Sequence, residues 1–244
     1  MNATNGNCPD LNSAPRAGEF SEGKLSDLFI WQLADSAFPT GAFAHSGGLE
    51  AACQHRALSN GADLAAFLEV ALIQLVHGTL PFVYAAFDIE KLFLDIDRLC
   101  DAFLSNHVAN RASRTQGQAF VSTAERAFSS PTLREFRIEI SEARLPGHAA
   151  PVFGRVARLL GLGSFATARL FVFTQLRLWV SAAVRLNTVG PIEAQKIQHQ
   201  FIPRAEWAAA QFGMIALDDI AQTAPLLDLW QGTQNRLYSR LFQS

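Results

Sequence analysis

No stretch of this chain longer than four or five residues alternates apolar and polar side chains, and that property excludes most sheet folds. Successive strand residues point to opposite faces, so a half-buried strand reads with period two. Here apolar residues return every three or four positions. The clearest case is Leu64, Phe67, Leu68, Ala71, Leu72, Leu75 and Val76, with Asp63 near the cap. No Asn-Gly hairpin sits between apolar runs. The pattern predicts an all-α chain of roughly nine to eleven helices in one compact domain over residues 25–244. Residues 1–24, rich in Asn, Gly, Pro, Ser and Ala, have little to bury and read as a disordered tail.

Punctuation divides the helical part. Ser26 and Asp27 are placed to cap a first helix over Leu28 to Leu33, and Ser59-Asn60-Gly61 turns the chain into the clear helix above. Gly78 and Pro81 bracket its end. Apolar residues resume at Ile89, Leu92, Phe93, Ile96, Leu99, Cys100 and Phe103. Asp88, Glu90, Lys91, Asp95, Asp97 and Arg98 lie between them as an expected solvated face. Further helices are expected over Asn106 to Phe128, Leu133 to Ala143, His148 to Leu160 and Phe165 to Leu186, the last capped by Ser164. Gly190-Pro191 opens another, with Ile192, Ala194, Ile197 and Phe201 on one face; Pro203 breaks it. The last helices are expected over Ala205 to Gly213 and Leu217 to Ala224, with Pro225 starting a final stretch. No internal repeat of fixed period and no long linker interrupts this order.

Apolar residues make up 49% of the chain and charged residues only 17%, against about 25% charged in a typical domain. Large buried faces are implied, in a core or against partner proteins. The net charge of −2 and a pI near 6.3, without a basic block, argue against nucleic acid as a partner. Cys8, Cys53 and Cys100 form no metal-finger spacing and read as reduced thiols of a cytoplasmic protein. The most apolar windows, Val70–Phe87 and Phe165–Val184, contain Gln74, His77 and Pro81, and Arg169, Gln175 and Arg177. They read as helices buried in protein, not as membrane spans, and the N-terminus lacks the pattern of a secretory signal.

A search for catalytic chemistry returns little. The six histidines, His45, His55, His77, His107, His148 and His199, never pair at i, i+4, and none sits in a metalloprotease motif. His77 reads as a core histidine; His45 and His148 lie beside turn residues, within reach of a surface. Ser46 stands in His-Ser-Gly-Gly, not in a nucleophile elbow, and no glycine-rich run has the residues of a phosphate cradle. Asp88/Glu90 and Asp218/Asp219 read as solvated faces or caps. No constellation supports an enzyme.

What looks specified is the stretch from Leu33 to Glu50. Pro39, Gly41, Gly47 and Gly48 punctuate it, Phe38, Phe43 and Leu49 anchor it, and it presents Ser36, Thr40, His45 and Ser46. Such a loop suits either a binding surface or a tight packing corner. Arg185, ending an apolar helix, has two readings: bonding the last free carbonyls there, or gripping an anionic group of a partner. Arg111, Ser113 and Gly117 form a small polar face, where Gly117 suggests close approach of another backbone. The closing segment, with Arg236 and Arg240 one turn apart, reads as a frayed helix or as a segment that folds onto a partner.

Five stretches, in order, resemble the UreF family of urease accessory proteins. They are P-T-G-A-F-A-H-S-G-G-L-E (Pro39 to Glu50), R-A-S-R-T-Q-G-Q-A (Arg111 to Ala119), G-H-A-A-P-V-F-G (Gly147 to Gly154), A-A-V-R-L-N-T-V-G-P (Ala182 to Pro191) and R-L-Y-S-R-L-F (Arg236 to Phe242). Gly190 followed by Pro191, where many bacterial members carry Gly-Gln, is similar to the plant and fungal form. The resemblance implies a non-enzymatic, all-α, cytoplasmic homodimer with no tightly bound cofactor. It implies a scaffold that bridges a UreD/UreH-like accessory protein and a UreG-like GTPase on apo-urease, with nickel handled by the complex. Matching the motifs residue by residue, the expected partner-binding residues are Pro39, Gly41, Ser46, Gly48, Glu50, Arg111, Ser113, Gly117, Arg185, Gly190, Arg236 and Arg240. The alternatives are a regulator of GTP hydrolysis by the UreG-like partner and a helical enzyme or small-ligand binder.

Overall fold

Every regular element among the described residues is helical; the computed structural model covers residues 27–88 and 91–244. The tail expected over residues 1–24, Cys8 within it, and the cap expected at Ser26 lie outside the described residues. Twelve α-helices run from α1 (Asp27–Ala34) to α12 (Pro225–Thr233), with short 3-10 turns at Ala42–Ala44, Leu217–Asp219 and Gln234–Arg236. Two of the twelve, α3 (Gly61–Gly78) and α4 (Leu80–Phe87), are separated by Thr79 alone and form one nearly continuous rod. Taking the rod as one element brings the chain to the upper end of the expected range.

The rod begins as its sequence requires. Asn60 Oδ1 accepts from the amides of Ala62 and Asp63 at 2.9 and 3.1 Å. Asp63 returns the bond, accepting from the Ser59 amide and hydroxyl at 2.9 Å each. A reciprocal cap of this kind stabilises a helix start by about 1 kcal/mol. Pro81 does not end the rod. It falls in the first turn of α4, where no amide proton is needed. The stretch Gly61–Phe87 is long and apolar enough to cross a membrane by composition, yet 61% of its most apolar window is buried inside the molecule. It is a core rod.

Against it pack α8 (Ala149–Leu159) and α9 (Ser164–Arg185), and α6 (His107–Phe128) lies against α8. The α9 helix is the hub, packing against α1, α2 (Leu49–Gln54), α3, α4, α8, α10 (Pro191–Gln200) and α11 (Ile202–Ala210). Stacked and tilted rings of Phe120, Phe153 and Phe171, 5.4 and 5.1 Å between centroids, tie α6 to α8 and α8 to α9. Peripheral to these lie α5 (Phe93–Phe103) and α7 (Pro131–Glu142).

Several local expectations give way to tertiary context. The helix expected over Leu217 to Ala224 is only a 3-10 turn, because the rod claims its backbone. The Ala221 amide donates to the His77 carbonyl at 3.0 Å, and the Gln74 side chain bonds Ala221, Thr223 and Ala224. Gly163, not Ser164, caps α9, and Pro203 lies inside the first turn of α11 instead of breaking before it. Ile192 points away from the buried face of α10 and is 74% exposed, while Ala194 and Ile197 are buried. The largest surprise is Asp97, expected on a solvated face and fully buried.

Candidate functional site at the junction of loop and tail

The loop after α1 turns twice through left-handed backbone. Gly41 has φ 74° and leads the Ala42–Ala44 turn; Gly48 has φ 90° and leads α2. At Gly48 glycine has two reasons, conformational and steric. A Cβ there would stand 3.2 Å from the Leu227 carbonyl and the Gln231 amide, so α12 would have to ease away slightly from the start of α2. The expected tight corner is therefore present, and what it holds is the chain's own closing segment.

Glu50, on the first turn of α2, is only 2% exposed. Its Oε1 accepts from the Leu241 amide at 2.6 Å and its Oε2 from the Phe242 amide at 3.1 Å, while the Gln234 side-chain amide also donates to Oε2. The fully buried Ser46 bonds the tail in the opposite sense: its N–H and Oγ both donate to the Ser244 carbonyl. His45 Nδ1 lies 2.6 Å from Ser244 Oγ, and the Gln243 amide donates to the Ala44 carbonyl at 2.7 Å. The segment after the Gln234–Arg236 turn is thus not a frayed helix: it is irregular, bent chain docked on the corner. Glu50 is covered by the tail that it holds.

Arg185 joins the two parts from the third side. Its guanidinium donates to the Phe43 carbonyl, and its Cζ lies 3.7 Å from the Phe43 ring centroid and 4.1 Å from that of Phe242. Neither expected role describes this contact; the planar cation ties loop to tail instead. An open groove of about 600 Å³ runs beside it, lined by Pro39, Gly41, Phe43, Arg177, Arg185 and Pro191 among others. Pro39 is exposed, and its carbonyl accepts from Thr123 at 2.9 Å. Gly190 caps α10 at the same rim, with φ −73° and nothing within 4 Å of a Cβ, so no local packing demands glycine there.

Ser113 and Gly117 serve a second junction, apart from Arg111. A Cβ on Gly117 would fall 2.1 Å from the Gly147 carbonyl, so α6 lies directly against the turn before α8. The buried Asp97 accepts the amides of Gly147 and His148 at 2.8 Å each, which explains a carboxylate in the core. His148 is fully buried as well, not at a surface; its Nε2 lies 3.0 Å from Asp101 Oδ1 and its Nδ1 3.1 Å from Ser113 Oγ. Burial pushes the imidazole below its ordinary range, outweighing the pull of Asp101 and Asp97. The neutral ring donates from Nε2 to Asp101 and accepts the Ser113 hydroxyl at Nδ1, while Ser113 Oγ accepts the Ala149 amide at 3.1 Å. Every partner is used in holding α5, α6 and α8 together. Asp97 had a signal in the sequence: it stands at i+4 from Phe93 and i−3 from Cys100, on the apolar stripe.

Arg111 and Arg240 meet on the surface, both donating to Asn235 Oδ1, at 3.2 and 3.4 Å. Arg236 is exposed and forms no ion pair among the described residues. Gln234 and Asn235, which organise the tail and these arginines, carry no signal in a single sequence. A half-open cavity of about 210 Å³ borders His45, Ser113, Gln175 and Trp179, and among the described residues the buried His45 Nε2 has no partner. Among the described residues no three His, Cys, Asp or Glu side chains gather as a metal site.

A family model described as UreF matches residues 58–202. The urease accessory protein F of Arabidopsis thaliana is 40% identical over 88% of this chain and 91% of its own length. That of Oryza sativa subsp. indica is 38% identical over 87% of this chain and 83% of its own length. A Schizosaccharomyces pombe protein described as an uncharacterized urease accessory protein UreF-like is 29% identical over 87% and 94%. The expected likeness to plant and fungal forms is met. With most of its length matched, the chain belongs to the UreF family of urease accessory proteins.

Proposed function

We propose that this chain is a non-enzymatic scaffold of urease maturation in the cytoplasm. In this reading it is a homodimer that bridges a UreD/UreH-like accessory protein and a UreG-like GTPase on apo-urease, so that nickel reaches the urease active site. The observation that carries the reading is the corner at Leu33–Glu50. Three of the five family motifs converge there on one surface, as loop, Arg185 and tail, and a groove opens beside them. Around it stand exposed apolar side chains: Phe43 at 62%, Leu229 at 64%, Tyr238 at 104% and Leu241 at 54% exposure. Aromatic and arginine side chains in such settings are the usual anchors of protein interfaces. Nickel is cargo of the assembly, and no resident cofactor is assigned to this chain.

The test is reconstitution. Co-expressed with UreD/UreH-like and UreG-like proteins, the wild-type chain is expected to co-purify with both, and a truncation from Arg236 onward to lose at least one. Retention of both partners by the truncated chain would remove the corner from the assignment. Failure of the wild type to retain either would remove the scaffold. A second reading, regulation of the GTPase, is favoured by Arg236 and Arg240 standing exposed with no ion pair among the described residues. An arginine supplied in trans accelerates hydrolysis by roughly 10³–10⁵, so an unchanged GTPase rate with this chain present leaves only scaffolding.

A further inference from the structure

Among the described residues, the hydrogen bonds that fix Gln243 and Ser244 are all made by residues 44–46. The Gln243 amide donates to the Ala44 carbonyl, the Ser46 N–H and Oγ donate to the Ser244 carbonyl, and His45 Nδ1 lies 2.6 Å from Ser244 Oγ. His45 stands at their centre, 5% exposed, and its Nε2 is buried with no partner among the described residues. A neutral imidazole tolerates that position, since Nδ1 donates to Ser244 Oγ and Nε2 keeps a bare lone pair. A protonated ring must place a charged N–H there, out of water and without an acceptor. The other buried histidine differs: His148 has Asp101 Oδ1 at one nitrogen and Ser113 Oγ at the other. No charge around His45 supplies what it lacks. Burial, and then Arg111 of α6, hold the ring below its ordinary range. Arg185 of α9 is committed to the Phe43 carbonyl, Glu50 of α2 to the amides of Leu241 and Phe242, and Asp228 of α12 to Asn106. The Cys100 thiol of α5, on the same cavity, is held well above its ordinary range by burial and stays neutral.

We propose that His45 is a proton-operated latch on the closing segment: when Nε2 takes up a proton, Gln243 and Ser244 leave the corner and the ring reaches water. Undocking is the least disruptive relief, because the bonds lost are few and water replaces them, while Leu49, Ala51 and Ala52 behind the loop stay in the core. The two residues that leave adjoin Leu241 and Phe242, whose amides Glu50 holds, so the loosening spreads to the clamp. Docking and proton uptake oppose each other, and each biases the other by the same factor. The docked ring is the harder one to protonate, so docking is complete above about pH 6.5 and weakens as pH falls from there toward the docked value. A docked ring that stays neutral implies an opening constant about tenfold larger at pH 5.5 than at pH 7.5. The latch needs no partner and does not rest on the scaffold reading.

Hydrogen exchange of the full chain, corrected for the intrinsic rate at each pH, reads the latch directly. Protection of the Gln243 and Ser46 amides is expected to fall about tenfold between pH 7.5 and 5.5 in the wild type. The side-chain amide of His45→Asn reaches where Nδ1 lies and cannot titrate, so its protection is expected to stay within about twofold over that range. His45→Phe carries the same test with a ring of similar size. His148→Asn is expected to keep the full fall, which separates local undocking from a loss of global stability. Constant protection in the wild type would overturn the latch, and so would a fall that persists in the His45 variants or disappears in His148→Asn. The wild type also supplies a test that needs no variant. The His45 ring titration, followed by NMR on histidine-labelled chain, is expected to run in step with the loss of Gln243 protection. Protection lost while the ring is still neutral would equally overturn the proposal.

Discussion

Glu50 is a buried carboxylate whose three donors all belong to residues 234–242. Removing it strands two backbone amides and the Gln234 amide in a desolvated corner, so the cost falls on the tail. Glu50→Ala is expected to lower stability by about 2–3 kcal/mol in urea denaturation, and to open trypsin cleavage at Arg236 and Arg240. Unchanged protection of those two sites would refute the clamp. Glycines make a paired test. Gly117→Ala drives a methyl into the Gly147 carbonyl and is expected to cost about 3 kcal/mol. Gly190→Ala meets open space and is expected to stay within about 0.5 kcal/mol of wild type. If Gly190→Ala nevertheless loses a partner, that rim is an interface.

The His148 cluster gives a pH dependence of definite sign. Burial holds the His148 imidazole below 6.5, against the pull of Asp101 and Asp97 and with a smaller push from Arg114; burial and then Arg111 do the same to His45. A group harder to protonate in the folded chain leaves the unfolded chain binding more protons once pH falls through the unfolded value. The stability contribution is complete above about 6.5 and is lost as pH falls from there toward the folded value. Asp101 repeats the pattern lower: donation from Asn110 foremost, then from His148, holds its carboxyl below 3.8, so its contribution is lost as pH drops below that. The melting temperature is expected to fall between about pH 7.5 and 5.5, and to fall less in His148→Asn. A rise on acidification would mean that the ring is charged and ion-paired with Asp101.

At the scale of elements, the notable unit is the tail, which has no helix and no strand partner. It is held by side chains of three elements: Glu50 of α2, Arg185 at the end of α9 and Gln234 of the last 3-10 turn. Arg185→Lys keeps the charge but loses the flat face that lies against Phe43 and Phe242, contacts worth about 0.5–1 kcal/mol each at such a site. The expected result is a chain of nearly unchanged helicity whose tail exchanges amide hydrogens faster at Leu241 and Phe242. Equal protection in wild type and variant would show that the carboxylate alone suffices. Helices themselves were readable because each carries its own apolar stripe and caps, as Asn60 and Pro191 illustrate. The segment over Leu217 to Ala224 was misread because its backbone bonds go to Gln74 and His77, far away in sequence.

At the scale of the whole molecule, the low charge content translates into a hub helix covered by seven others and into a surface that still exposes Trp31, Phe43, Phe165, Ile192 and Leu229. A chain with that much uncovered apolar surface is expected to self-associate or bind partners, and light scattering across a concentration series will read a dimer mass if the homodimer is right. The sequence by itself determined the all-helical class, the family and the short stretches that matter, because periodicity, caps and local motifs are properties of neighbouring residues. It also pointed correctly to close backbone approach at Gly117. Tertiary structure alone decided that Asp97 meets the amides of Gly147 and His148, that His148 is buried, that Glu50 faces the chain's own tail, and that Arg111 and Arg240 share Asn235. Those outcomes depend on contacts between residues 50 to 192 positions apart, and no local pattern encodes which distant group will supply the missing hydrogen bond.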